Sequence, residues 1–276
     1  MKYDALGIRM KEYEAVTNTK LVNRTPVIIR LDGRAFHTFT KGFKKPFDDT
    51  LNYCMQETMK YLCENITNCI FGYTQSDEIT LVLLEQSKES QPWFDNRIQK
   101  IVSSTASMAT LKFNQALTNR VLFNFFNENE DEFAECDDLE ESFAKTKYAN
   151  KLFQATFDTR VFNLSKEEVI NCIIWRQQDA TKNSISSLAQ ANFSHKQLQG
   201  KNSIEMQDML VNEKGINWND IPTKYKRGSA CIKKPVEINT PNGIVTRNKW
   251  VIDDEMPIIT QDRDYINRLF DEDYNG

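Results

Sequence analysis

The order of its apolar runs constrains this chain more than any single motif does. Residues 26–31 (PVIIRL) form a short continuous apolar run, the pattern of a strand covered on both faces. From Asp48 the apolar positions Leu51, Met55, Met59 and Leu62 fall at helical spacing, with Asp48 or Asp49 placed to cap the helix. "NCIFGY" and "ITLVLL" then read as two strands separated only by "TQSDE", which predicts a hairpin. A long helix is expected from about Trp93 to Leu117, with Ile98, Ile101, Val102, Thr105, Met108 and Ala109 on its inner side. "RVLFNFF" has the composition of a further strand, and "FQATFDTRVFNL", starting at Phe153, contains one. Strand, helix, hairpin, helix, strand is the βαββαβ order of a ferredoxin-like α+β sheet with helices on one face.

Several function classes are set aside by composition. No run of about 18 apolar residues exists, so no membrane span is expected. The N-terminal stretch "MKYDALGIRMKEYEAV" lacks the apolar core of a signal peptide, which predicts a soluble protein, cytoplasmic or otherwise intracellular. Six Cys without a C-x-x-C pair, and only two His, argue against structural zinc and for reduced thiols. Cys54, Cys63, Cys69 and Cys172 fall on apolar stretches and read as small buried residues. His195 has no catalytic partner nearby in sequence. A net charge of −4 means that any RNA partner must meet local basic patches. "KKPVEIN" and "KYKRG" are such patches, and they either touch phosphate or are merely solvated. The acidic stretch from Asn127 to Ser142 reads as a surface insertion, and the last twenty residues as peripheral. No linker divides the chain. One catalytic domain over residues 1–276 is expected, with a C-terminal extension from about residue 236. "SKEEVINCIIWRQQD" opens on a capping box, Ser165 with Glu168, and continues as a long helix.

Two acidic turns stand out on this frame. Asp32 ends the first strand and Asp77 lies in the turn between the second and third. In a ferredoxin-like sheet the first and third strands are neighbours, so the two carboxylates come to one edge. Such a pair suits two Mg²⁺ ions about 4 Å apart. Gly33 leaves a backbone carbonyl for an ion. Arg34, His37, Lys41, Lys44 and Lys45 follow, with backbone N–H groups that suit a triphosphate. Each motif alone also reads as an ordinary turn, Asp-Gly above all. Their topological pairing beside a lysine run is what points to chemistry.

The residues "RLDGRAFHTF…KPFD" and "GYTQSDE" closely resemble the histidine-tRNA guanylyltransferase family, the 3′-to-5′ polymerases that extend the 5′ end of tRNA. "WFDNRIQK", "FDTRV", "WRQQD", "LQGKNSIEMQDML" and "YKRGS" recur in family order, so the resemblance spans roughly residues 5–235. It implies a palm fold like that of polymerases and nucleotide cyclases, and a nucleotidyltransferase working as a homotetramer on tRNA with ATP, GTP and other NTPs. Asp32, Gly33 and Asp77 would hold two Mg²⁺, with Asp32 and Asp77 catalytic. Asp32, Gly33, Arg34, Ala35, Phe36, His37, Lys45, Ser76 and Asp77 would bind the nucleotide. Arg97, Lys100, Arg176 and Asn183 would contact phosphate or RNA.

Two departures matter. Where the eukaryotic enzymes have His-Ile-Asn-Asn after Trp-Arg-Gln, this chain reads "WRQQDATKNSIS", with Thr181 in place of His and only Asn183 retained. "KPFD" stands where Lys-Pro-Asn-Asp is usual. Both place the chain near the guanylyltransferase-like branch, which repairs 5′-truncated tRNA by template-dependent addition. A dedicated histidine-tRNA guanylyltransferase, another two-metal palm enzyme such as a nucleotide cyclase, and a non-catalytic RNA-binding relic are the competing readings. The last is disfavoured because both Asp residues are present.

Overall fold

A computed structural model of the chain describes residues 4–87, 89–128, 146–240 and 243–271. In chain order its main elements are α1 (Ala5–Ala15), β1 (Val27–Gly33), α2 (Phe36–Phe39), α3 (Asp49–Asn65), β2 (Cys69–Gln75), β3 (Glu78–Leu83), α4 (Ile98–Glu128), β4 (Phe157–Asn163), α5 (Lys166–Asn192), α6 (Ser203–Lys214), β5 (Ser229–Thr240) and β6 (Gly243–Asp253). One antiparallel sheet runs β4-β1-β3-β2-β5-β6. Its first four strands have the expected ferredoxin-like order, and β5 and β6 extend it beyond β2.

Two apolar layers enclose the sheet. Val27, Ile29 and Leu31 of β1 face α3 and α4, meeting Met55, Met59 and Leu62 of α3 and Phe113 and Leu117 of α4. Ile28 points the other way, with Val82, Ala230 and Ile232, against Val169, Ile170 and Ile173 of α5. Coverage on both faces explains why β1 reads as a continuous apolar run instead of an alternating one. It also corrects the expectation that helices occupy one face only. The α5 layer covers the β2–β5 half of the second face. Asp158 and Arg160 of β4 are left exposed on it.

Three further expectations change. "RVLFNFF" is not a strand: α4 continues unbroken to Glu128, and Val121 and Phe125 follow Leu117 at four-residue spacing toward the interior. The C-terminal stretch is not peripheral. Ile259, Tyr265, Ile266 and Leu269 are buried in the second layer, and the Gln177 side chain both donates to the Pro257 carbonyl (2.8 Å) and accepts from the Ile259 amide (2.9 Å). The strands around "SACIKK" and after "TPNG" are long, twelve and eleven residues. The acidic insertion falls almost wholly on residues 129–145, outside the described residues. Ser165 caps α5 through the Glu168 amide (3.4 Å), but the Glu168 carboxylate takes the Asn171 amide (3.0 Å), so the box is half closed. The described cysteines, Cys54, Cys63, Cys69, Cys172 and Cys231, are buried and free.

Asp48 anchors the start of α3. One carboxylate oxygen accepts from the Leu51 amide (3.0 Å), and the other from the Lys44 amide (2.8 Å), Lys147 Nζ (3.0 Å) and the Tyr148 hydroxyl (2.8 Å). Burial works to raise its pKa. The amides of Leu51 and Lys44, then Lys147 and Tyr148, outweigh burial and hold it below the usual 3.8. Asp48→Ala is expected to cost about 2–3 kcal/mol in urea unfolding at neutral pH, the sum of a lost cap and stranded partners. A folded-state pKa below the unfolded one gives stability that is present above pH 3.8 and lost as pH falls through the lower value. The gap between wild type and variant therefore narrows in acid. A gap that widens below pH 3.8 would contradict this account.

Candidate active site

The end of β1 and the start of β3 lie side by side. In register, Asp32 stands opposite Glu78 on β3 and opposite Asp158 on β4. The Gly33 amide donates to the Asp77 carbonyl at 3.0 Å, which locks the hairpin turn against the strand end. Ser76 makes that two-residue turn with φ +50°. Gly33 has no room for a side chain: a Cβ there would lie 2.4 Å from the Phe36 ring. Asp32 and Asp77 are thus brought to one edge, as their places in the sequence predict. Burial first, and then the neighbouring charge of Asp32, push the Asp77 carboxyl above its usual value.

Glu78 and Asp158 were not singled out from the sequence. Like charges directly opposite one another across strands oppose pairing. The row Asp158–Asp32–Glu78 is therefore a place where the sheet gains from a cation. Glu78 has one in the protein. Arg176, from α5, donates to its carboxylate at 2.8 Å, with side chains only 7% and 10% exposed. Arg176 also lies 3.4 Å from Asp179 and over the Trp175 ring, 3.6 Å from its centroid. Burial raises the Glu78 pKa, and the arginine opposes that rise. Arg176, expected as a phosphate or RNA contact, instead braces the turn from behind. Arg30 approaches the exposed face of Trp175 at 5.4 Å.

The glycine-led turn after Asp32 offers donors. The Arg34 amide is used by the Thr156 carbonyl (2.9 Å), whereas those of Ala35, Phe36 and His37 donate to no backbone carbonyl among the described residues. Ala35 has φ +56° and starts the single turn α2. The side chains of Arg34 and His37 are exposed, while the Phe36 ring packs on Phe39, Phe113 and Phe157. Only the backbone of Phe36 is open to a ligand. Lys41, Lys44 and Lys45 are exposed.

Beside the turn lies a cavity of about 120 Å³. Its walls come from Pro46, Phe47, Ser76, Asn183, Lys224, Tyr225 and Gly228. The Phe47 and Tyr225 rings stack in parallel, with centroids 4.8 Å apart and planes within 10°, and the Tyr225 hydroxyl donates to Asp49. Gly228 must be glycine there: φ is +84° and a Cβ would meet the Thr74 carbonyl oxygen at 2.4 Å. Thr181 does not line the cavity, although Asn183 does, and its hydroxyl donates back to the Gln177 carbonyl at 3.0 Å. The aromatic pair could not be read from the sequence, because Phe47 and Tyr225 are far apart in the chain.

Arg97 and Lys100 are elsewhere. The Leu21 amide donates to the Asn96 carbonyl and the Ile98 amide to the Thr19 carbonyl, while the Val22 amide bonds Asn163, which pairs with Val27. This places the start of α4 at the opposite end of β1 from Asp32, about 17 Å away along the strand. There Lys100 sits over the Phe94 ring at 5.7 Å and Arg97 lies 3.9 Å from Asp95. No group of three or more His, Cys, Asp or Glu side chains able to hold a metal occurs among the described residues. The site therefore offers two carboxylates and a carbonyl, which suits an ion that keeps water and substrate oxygens in its shell.

A family model for tRNAHis guanylyltransferase matches residues 7–165, more than half of the chain. The chain belongs to the tRNAHis guanylyltransferase family. Members are nucleotidyltransferases, and the matched segment contains Asp32, the hairpin turn and β4. Solved structures of a bacterial tRNA(His) guanylyltransferase (Thg1)-like protein agree along nearly the whole length. The complex with ATP is 43% identical, covers 97% of this chain and 100% of that one, and superposes with a TM-score of 0.78. The complex with GTP gives 40%, 97%, 99% and 0.75. A probable tRNA(His) guanylyltransferase of Dictyostelium discoideum is 27% identical over 255 residues, 87% of this chain and 88% of that protein. No helix among the described residues is long and apolar enough to cross a membrane.

Proposed function

We propose that this family member is a template-dependent 3′-to-5′ nucleotidyltransferase that adds nucleotides to the 5′ end of tRNA, truncated tRNA included. In this reading an oxygen of the RNA 5′-monophosphate first attacks the α-phosphorus of ATP and pyrophosphate leaves, which caps the RNA 5′ phosphorus with AMP. The 3′-hydroxyl of the incoming NTP then attacks that phosphorus, and the activating nucleotide leaves. The reading rests on one observation above all: carboxylates at the end of β1 and in the β2–β3 turn come to one sheet edge, and Ser76 of that turn lines a cavity walled by Phe47 and Tyr225.

Asp32, Asp77 and the Gly33 carbonyl would hold Mg²⁺. The donor set fits, since the two like charges adjoin and neither forms an ion pair with a lysine or arginine among the described residues. Two bound ions stabilise charge on the attacking and leaving oxygens of a phosphoryl displacement. The protein's own part is placement. The amides of Ala35, Phe36 and His37, with Arg34 and Lys45, bind triphosphate oxygens. Ser76 borders the adjoining cavity. Phe47 and Tyr225 offer ring faces to a base, and stacking of this kind tolerates every base. Thr181, where the eukaryotic enzymes have His, does not line the cavity and so offers no contact that would prefer guanine. Selection therefore falls to Watson–Crick pairing with the opposite RNA strand. Exposed Leu111, Phe123 and Phe126 on α4, with Phe153, support a homotetramer, which sedimentation would read; a monomer at micromolar concentration would remove that part of the reading.

The deciding experiment uses a tRNA lacking its 5′ nucleotide, with A, C, G or U placed in turn opposite the gap. Each labelled NTP is followed with ATP and Mg²⁺ present. Addition should track the complement of the template base. Addition of G whatever the template would make this a dedicated tRNAHis guanylyltransferase instead.

A further inference from the structure

Gln75 carries a buried amide that folding leaves unused. It ends β2 and is 8% exposed. The other buried side-chain amides are bonded within the protein: Asn96 to Asn23, Asn114 to the Ala155 carbonyl and amide, and Gln177 to Pro257 and Ile259. The Gln75 side chain makes no hydrogen bond among the described residues, and neither of its amide atoms is sealed from solvent. A polar group held this deep without a partner is costly, and native proteins retain few of them.

Its position shows where a partner would sit. Gln75 follows Tyr73 by two along β2, so it points to the α5 side of the sheet, where Tyr73 packs in the second layer. There it lines the cavity with Ala180, Asn183 and Ser184 of α5. Phe47 and Tyr225 wall the same cavity, and Ser76 and Asp77 follow Gln75 directly. The strand beneath it is fixed on both sides: Gln75 stands opposite Glu78 in the hairpin, and Thr74 opposite Ser229 of β5. A flat ligand that enters this space meets both a ring face and a preplaced amide.

Chemistry narrows the ligand. A carboxamide offers one donor beside one acceptor, and adenine shows the complementary pair, its 6-amino group beside a ring nitrogen. In the two-step reaction proposed above, the incoming NTP must leave its Watson–Crick edge to the template strand. A protein amide on that edge would compete with the template. The activating ATP has no template partner, so its base is free to be held by the protein. We infer that the Gln75 amide holds the adenine of the activating ATP through its 6-amino group and the adjoining ring nitrogen, which makes Gln75 a specificity-determining residue for the first step. This rests on the nucleotide reading of the cavity given above.

The test uses the full chain with Mg²⁺ and compares wild type with Gln75→Met, which keeps the length of the side chain and removes both hydrogen-bonding atoms. Titration calorimetry reads the Kd of ATP, of 2′-deoxy-ATP and of purine riboside 5′-triphosphate, which lacks only the 6-amino group. Wild type should bind ATP about tenfold more tightly than the purine analogue, the discrimination expected of one bidentate pair. In Gln75→Met that ratio should fall to about twofold or less. A ratio unchanged by the substitution overturns the contact. Equal binding of ATP and the purine analogue by wild type overturns it as well, and that result needs no variant to fold. A preference for ATP over 2′-deoxy-ATP that vanishes in Gln75→Met, while the 6-amino preference persists, places the amide on the ribose and also overturns the base contact. Tyr225→Ala separates this inference from the reading beneath it. If that variant binds ATP with the wild-type Kd, the cavity reading and the Gln75 contact fall together. If it binds ATP more weakly while Gln75→Met keeps the wild-type ratio, only the Gln75 contact falls.

Discussion

Asp77→Asn and Asp32→Asn are each expected to lower nucleotide addition by about a thousandfold or more, the effect of withdrawing roughly 4 kcal/mol of charge stabilisation from the transition state. The same changes should not harm the metal-free fold. Asp77 is held in a partly buried turn beside Asp32, and both burial and that neighbour disfavour its charge. Removing the charge should therefore raise the thermal midpoint of the chelator-treated protein, on the order of 2 °C. Activity and stability thus move in opposite directions, which general misfolding cannot produce. Single-turnover addition and a calorimetric scan in EDTA measure the two quantities. Activity within tenfold of wild type for either variant, or a midpoint that drops along with activity, would sink the assignment of the carboxylate pair.

Arg176→Met should be the most destabilising single change near the site. It leaves Glu78 in a buried position without its cation, and breaking one side of a buried pair costs about 3–5 kcal/mol. The double variant Arg176→Met, Glu78→Leu removes both charges and should recover most of the loss. Urea unfolding of the four proteins completes the cycle. Because Glu78 follows Asp77 directly, the single variant should also lose activity, and the double variant should regain stability before activity. If Arg176→Met lies within 1 kcal/mol of wild type, Arg176 does not brace the turn.

Much of the fold was legible because apolar spacing reports burial locally. The strands of β1 to β4, the helix capped by Asp48 and the turn at Ser76–Asp77 all sit where their patterns place them. The failures have local causes too. "RVLFNFF" carries strand-forming residues, but a helix already running through Ala116 and Leu117 extends at little cost, and Val121 and Phe125 keep its buried stripe. The acidic C-terminal stretch looks solvated by composition, yet Ile259, Ile266 and Leu269 suffice to dock it. Arg97 and Lys100 match a family pattern in linear order, but order does not give position along α4, which spans the sheet from end to end.

By itself the sequence determined the order of the first four strands, the two acidic turns and the family. These depend on patterns repeated within a few residues: alternation, helical spacing and a Gly that must follow Asp32. Tertiary structure alone decided what surrounds them. Glu78 meets Arg176 across 98 positions, and Phe47 stacks on Tyr225 across a longer gap still. Lys234 faces Lys249 only through the register of a hairpin. Such pairings follow from how helices pack on the sheet, so they depend on every intervening element at once and leave no local mark in the chain.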